Sequence, residues 1–340
     1  MEHPSRIGKY EIEEFLGGGM SHVYRAKDTV LGRRVAVKLL TRAATSDTES
    51  KARFLMEARV ASNIAHENII SVFDFGEEDG QPFIVMEFLE GESLRSAIKL
   101  GHLGDFVWRM RVALQAGRAV DYIHSKKIIH RDIKPENINI DRFGKIKLMD
   151  FGIAKADGVA LTRAGFTLGT PYYMAPEQVL GRPLTPQADV YAFGLLLFEL
   201  LTGTKALSGD NVEQIFERIL YQPVDLSPLN RPGIPPGVAE LIGRCVAKQP
   251  AQRPKTVGEV CDQIERFLDP NYAAAAPVKA AEAPPPLRPP PRAEYNETPK
   301  MLRMLPSALR TPAGLMLLAG VAVVAGFAVV YVILTLAHVI

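Results

Sequence analysis

The chain of 340 residues carries 40 Lys and Arg against 38 Asp and Glu, is 47% hydrophobic, and holds 25 prolines and two cysteines. That much apolar content excludes a wholly disordered or collagen-like chain, and the length suits two domains or one large two-lobed one. Near-neutral charge argues against a nucleic-acid coat; Cys245 and Cys261 lack C-x-x-C or His/Cys spacing, which excludes a disulfide framework and a zinc module.

The N-terminus, MEHPSRIGKY, has no apolar stretch, so no cleavable signal peptide is expected. Residues 1–268 read as a mixture of strands and helices. In FLGGGMSHVY, the glycines Gly17, Gly18 and Gly19 free backbone N–H groups for close approach to a phosphate, although a Gly triplet alone is more often a plain turn. Next comes a strand, Arg34–Leu40, with Val35, Val37 and Leu39 on one face and Ala36, Lys38 and Leu40 on the other. Lys38 is an ammonium in a strand apolar on both sides, costly without a partner. In the following helix Phe54, Glu57 and Ala61 share a face, so Glu57 also points inward, and a buried Lys38–Glu57 pair resolves both conflicts.

A second strand is expected at Phe83–Phe88, and a helix through Phe106, Met110, Ala113, Gly117 and Val120, spaced four, three, four and three apart. The densest polar cluster is IIHRDIKPENINI, where apolar pairs bracket His130, Arg131, Asp132, Lys134, Glu136 and Asn137. Thirteen residues after Asn137 lies Asp150, in MDFG, which places it after a short apolar strand. An Asn and an Asp supply hard oxygen ligands for Mg²⁺, and a second Asp is left to receive a proton. The 28 residues from Asp150 to Glu177 carry few structure signals, which marks a functional loop.

Residues 269–312 hold 11 Pro and 9 Ala and read as an extended linker. Six basic and four acidic residues lie beyond Leu268, so the formal excess of +2 belongs to this tail. Residues 313–337 contain no charge, and as a helix would span roughly 38 Å, more than a bilayer's ~30 Å hydrocarbon core. Lys300, Arg303 and Arg310 precede this run, which predicts a single-pass inner-membrane helix with the N-terminal domain cytoplasmic. Ala322 and Gly326 form one small-xxx-small pair through which two copies could associate as a homodimer.

Taken together, VAVK, HRDIKPEN, DFG and MAPE, in this order over residues 10–268, resemble a Hanks-type protein kinase of the membrane-anchored bacterial serine/threonine branch. The resemblance implies an α+β, two-lobed fold: a small lobe of antiparallel sheet plus one helix over about residues 10–86, and a mainly helical large lobe over about 90–268. It implies ATP and Mg²⁺, with Mn²⁺ as an alternative, and protein substrates, not nucleic acid. By the same resemblance Lys38 holds the α/β-phosphates and pairs with Glu57, under a loop of Leu16, Gly17, Gly18 and Gly19. Val23 and Ala36 enclose adenine, Met86 is the gatekeeper, and the Glu87–Leu89 backbone is the hinge. Asp132 accepts the hydroxyl proton, Lys134 neutralises the transferring phosphoryl, and Asn137 and Asp150 bind the metal. Thr170 stands where this branch places a threonine beside the catalytic Asp, and Thr162 and Thr167 are candidate phosphosites whose phosphate would pair with Arg131. Glu177, Arg253 and Asp189 have structural counterparts in the family. One departure is visible: Ser21 replaces the third glycine and the loop is one residue short, so looser phosphate cover is expected. The family's picture of an external ligand driving dimerisation is not carried over, since only His338, Val339 and Ile340 follow the apolar run. A nucleotide-sensing scaffold shares the motifs, and a small-molecule kinase shares the phosphate machinery but not the DFG-to-MAPE segment.

Overall fold

The computed structural model describes residues 3–150 and 171–269. Thr162, Thr167, Thr170, the linker beyond Asp269 and the apolar run 313–337 lie outside the described residues. Among the described residues no helix is long and apolar enough to cross a membrane.

The first lobe is built on a six-stranded sheet in the order β1-β2-β3-β4-β6-β5. Its strands are β1 (Arg6–Ile7), β2 (Tyr10–Gly18), β3 (Ser21–Asp28), β4 (Arg34–Leu40), β5 (Val72–Glu78) and β6 (Gln81–Glu87). Every pairing is antiparallel. Strand β4 is central and buried on both faces, as its near-continuous β-branched and aliphatic run requires. Val35, Val37 and Leu39 pack with Tyr10, Tyr24 and Phe83, while Leu40 on the other face packs with Phe54 and Ala58. Asp79 and Gly80, at φ 50° and 78°, close the two-residue β5–β6 hairpin, for which Asp-Gly is suited.

Two helices, not the single one expected, separate β4 from β5: α1 (Arg42–Thr45) and α2 (Thr48–Ser62). Helix α1 is one turn, capped where Thr41 Oγ1 accepts the Ala44 N–H at 3.3 Å, and four residues are too few to show a periodic pattern. Helix α2 starts where the Asp47 carboxylate accepts the Ser50 N–H at 3.0 Å.

The second lobe comprises α3 (Leu94–Leu100), α4 (Phe106–Ser125), α5 (Pro176–Val179), α6 (Gln187–Thr202), α7 (Val212–Tyr221), α8 (Pro236–Cys245) and α9 (Val257–Leu268). Helix α6 is buried from Ala188 through Leu201, apolar apart from Asp189 and Glu199, and forms the centre of the lobe. Gly117 lets α4 approach its neighbours closely: a Cβ there would sit 2.5 Å from Cys261 Sγ and 2.9 Å from Phe193 Cζ. Of a small sheet, β7 (Glu92–Ser93), β8 (Ile138–Ile140) and β9 (Ile146–Leu148), only β9, the short apolar strand before Asp150, was expected from the sequence. The sheet's strands are two or three residues long and carry no periodic signal, yet β8 and β9 connect the Asn137 and Asp150 regions.

Candidate active site

The cleft between the sheet and the helical lobe holds a cavity of about 420 Å³. Of the residues expected there, Leu16, Gly18, Gly19, Val23, Ala36, Lys38, Glu57, Met86, Glu87, Leu89 and Asp150 line it. Gly17, Asp132, Lys134 and Asn137 do not line it. The lining also includes Ser21 of the glycine loop and Phe88 of the Glu87–Leu89 hinge, together with Ala58, Ala61, Ile70, Val72, Ile84, Asn139 and Met149, which sequence reasoning missed. Ala58 and Ala61 could have been found, because they flank Glu57 along one face of α2. Ile70 and Val72 could not, because nothing local marks which side of their segment faces the cleft.

The glycine segment forms the β2–β3 turn, with Gly17 opposite Val23 and Gly18 opposite His22. Gly18 has φ 143°, and a Cβ on it would fall 1.9 Å from the Ser21 carbonyl oxygen. Only glycine fits there. The Gly19 N–H donates to that same oxygen at 3.0 Å, so the turn closes tightly despite its shortened length.

Lys38 extends from β4 with its side chain 14% exposed, and its Nζ lies 3.0 Å from Glu57 Oε1 and 2.7 Å from Asp150 Oδ1. The pair with Glu57 is the one the sequence called for. The contact with Asp150, 112 residues away, was not foreseen. Burial opposes the ammonium, but the charges of Asp150 and Glu57 outweigh it and hold Lys38 above its ordinary pKa. Burial raises the Glu57 pKa, whereas the charge of Lys38 lowers that of Asp150. The Asp150 side chain is 52% exposed, which leaves carboxylate surface for a ligand. Its backbone has φ 49°, in the left-handed region unusual for a non-glycine residue.

Asp132 lies in the loop between α4 and β8. Its Oδ2 accepts Lys134 Nζ at 2.7 Å and Asn137 Nδ2 at 2.9 Å, and Asn137 Nδ2 also reaches the Asp132 carbonyl at 2.9 Å. With its NH₂ so engaged, Asn137 has its amide oxygen to offer a cation. The Met149 N–H donates to the Asn137 carbonyl at 2.8 Å, tying the residue before Asp150 to the Asp132 loop.

Asp189, at the start of α6, braces this loop from beneath. It accepts the backbone N–H of His130 at 2.7 Å and of Arg131 at 2.8 Å, and it lies 2.7 Å from His124 Nε2. Those bonds hold Arg131 at φ 67°, a strained position set by its surroundings. Glu177, on α5, makes a two-armed ion pair with Arg253 at 2.6 and 2.9 Å, with side chains 7% and 0% exposed. The adjacent Gln178 donates to the Arg131 carbonyl at 3.0 Å and so carries this anchor to the Asp132 loop.

A buried ammonium, its two carboxylate partners and a glycine turn thus face one cleft, and the charges of Asp132 and Lys134 stand close enough to act on Asp150. The family profile described as the protein kinase domain matches residues 10–264. Serine/threonine-protein kinase PknA of Mycobacterium tuberculosis is 36% identical over 293 residues, covering 84% of this chain and 66% of that protein. Serine/threonine-protein kinase PrkC of Bacillus subtilis is 38% identical over 264 residues, covering 77% of this chain and 41% of that protein. The solved structure of Rad53 1–466 in complex with AMP-PNP superposes with a TM-score of 0.61 at 26% identity, covering 75% of this chain and 64% of that one. The chain therefore spans less than two thirds of each of these proteins.

Proposed function

Because the chain belongs to the protein kinase domain family, in the serine/threonine branch represented by PknA and PrkC, we propose that it transfers the γ-phosphoryl of ATP to Ser and Thr hydroxyls of proteins. The observation that carries this reading is the cleft-lining Lys38, paired at once with Glu57 and Asp150, beside a cluster of Asp132 held by Lys134 and Asn137 whose charges act on Asp150. Phosphoryl transfer asks little covalent chemistry of the protein; positioning and charge stabilisation supply most of the catalysis.

In this reading Asp132 receives the proton of the acceptor hydroxyl. Lys134, already 2.7 Å from it, orients that carboxylate and offsets charge on the transferring group. Lys38 takes the nucleotide phosphates beneath the Gly18–Gly19 turn. Val23, Ala36 and Met86 give the adenine a slot with apolar walls, and the Glu87–Leu89 backbone reads its edge. The family uses a divalent cation, and the donor set fits Mg²⁺: Asn137 and Asp150 offer hard oxygens, and among the described residues no cluster of three His, Cys, Asp or Glu could hold a metal by itself. Such an ion, or Mn²⁺ in its place, would neutralise phosphate charge. Thr162 and Thr167 would be autophosphorylation sites, and Thr170 would assist selection of the acceptor hydroxyl. The uncharged run 313–337 and its basic flank support a single-pass tether with the kinase domain on the cytoplasmic side, and Ala322 and Gly326 support pairing of two copies.

The test is incorporation of labelled phosphate into a protein acceptor by the full chain in detergent, with ATP and Mg²⁺. Removing the base in Asp132→Asn should lower kcat by about 10²–10⁴-fold. Transfer at the wild-type rate in that variant would refute the assignment.

A further inference from the structure

The short strand that leads to Asp150 carries one cation. Strand β9 places Ile146 and Leu148 in the large-lobe core, so Lys147, between them, points to the other face. Its ammonium does not run out to solvent. The side chain is 18% exposed, and Nζ lies 2.8 Å from Glu87 Oε2 and donates to the Ile69 carbonyl at 3.4 Å. Glu87, its side chain 27% exposed, is the last residue of β6 and the first of the hinge. The same carboxylate oxygen accepts the Ser71 N–H at 3.3 Å, and the Glu87 N–H donates to the Ser71 carbonyl at 2.9 Å.

These contacts join the hinge to the strand before Asp150. Leu148, next to Lys147, accepts the Ile70 N–H at 3.0 Å and donates to the Asn68 carbonyl at 2.8 Å, so residues 68–71 are clasped between β9 and Glu87. Met149 and Asp150, which follow on that strand, line the same cavity as Glu87, Phe88 and Leu89. Lys147 does not line it, and the transfer chemistry makes no use of its charge. Among the described residues neither Glu87 nor Lys147 has a second ion-pair partner. Without the ammonium the Glu87 carboxylate would keep one backbone N–H and turn toward water, which loosens the first residue of the hinge.

We propose that Lys147 is a positioning residue for base recognition: by holding the Glu87 carboxylate it fixes the hinge backbone against the adenine edge and so enforces the preference for adenine over other purines. The proposal rests on the kinase reading and adds what sets its choice of nucleotide. A partly exposed ion pair, or one hydrogen bond between hinge and base, is worth up to about fivefold.

The experiment measures KM for ATP and for inosine triphosphate, which presents a carbonyl oxygen where adenine has its amino group. It uses the full chain in detergent with Mg²⁺ and a protein acceptor. Lys147→Met should raise the KM for ATP about fivefold, with kcat and the KM for inosine triphosphate changed by less than about twofold. Lys147→Arg, which keeps the charge, should retain the wild-type selectivity. Glu87→Gln should lose selectivity as Lys147→Met does, and the double variant should lose no more, because all three remove one interaction. A wild-type protein indifferent to the base, equal weakening toward both nucleotides, no rescue by arginine, or losses that multiply in the double variant would each overturn the proposal and leave the kinase reading intact. Absence of phosphate transfer by the wild type counts against the kinase reading instead. The positioning role is then read by titration calorimetry with ADP and inosine diphosphate. A preference for ADP that disappears in Lys147→Met upholds it; equal affinities in the wild type, or a preference kept in the variant, overturn it.

Discussion

Replacing Glu177 with Gln would leave the Arg253 guanidinium in the interior without a countercharge. Breaking a buried pair by removing one partner costs about 3–5 kcal/mol. Here Arg253 keeps three backbone acceptors, the carbonyls of Ala247, Gln187 and Lys248 at 2.7, 2.8 and 3.1 Å. These preserve part of its solvation, so the cost of Glu177→Gln should fall near the lower end, about 3 kcal/mol. For a domain of this size that corresponds to a fall of about 6–12 °C in Tm. The single tryptophan, Trp108 on α4, packs against the large-lobe core and reports unfolding by its fluorescence. Arg253→Met should cost at least as much, since it orphans Glu177 and the three carbonyls together. The double variant removes both charges and should be less destabilised than the sum of the singles by about 2 kcal/mol. Additivity within about 0.5 kcal/mol would refute the argument that charge pairing matters at this site.

Gly18→Ala should raise the KM for ATP about tenfold or more, because a Cβ there collides with the Ser21 carbonyl and φ 143° is closed to alanine. Gly19→Ala, whose added methyl would meet no atom within 4 Å, should change KM far less; equal effects in the two would contradict the steric account. Lys248 donates to the carbonyls of Arg218 and Ile219, and burial pushes its pKa down to about 8 from the usual 10.5. Between those values the folded chain has released a proton that the unfolded chain retains, so this lysine makes stability rise with pH. The Tm difference between wild type and Lys248→Met should therefore shift in favour of wild type from pH 8 to pH 10, and a constant difference would refute it.

What could be seen in the sequence was chiefly conflict. Lys38 and Glu57 each broke an apolar pattern, and the same rule resolved both. Glu199 sits in the apolar run of α6 and broke the pattern just as clearly, so the signal for its partner was present and unused. The Lys38–Asp150 contact left no local trace, because the two residues meet only once both lobes have folded. The three glycines look equivalent as letters, whereas the fold makes Gly18 obligatory and leaves Gly17 outside the cavity. Helix α1 and the strands β7 and β8 escaped for a simpler reason: elements of two to four residues are shorter than the periods that would reveal them.

The Lys38 ammonium answers two carboxylates with one positive charge, so this cluster in the cleft carries a surplus of one negative charge. A polyanion diffusing in by itself would be repelled by that surplus, while one escorted by a doubly charged counterion, with about half its charge neutralised, would be repelled less. That surplus would bias the resting cleft toward the metal chelate over a naked triphosphate before any part of the protein has to move.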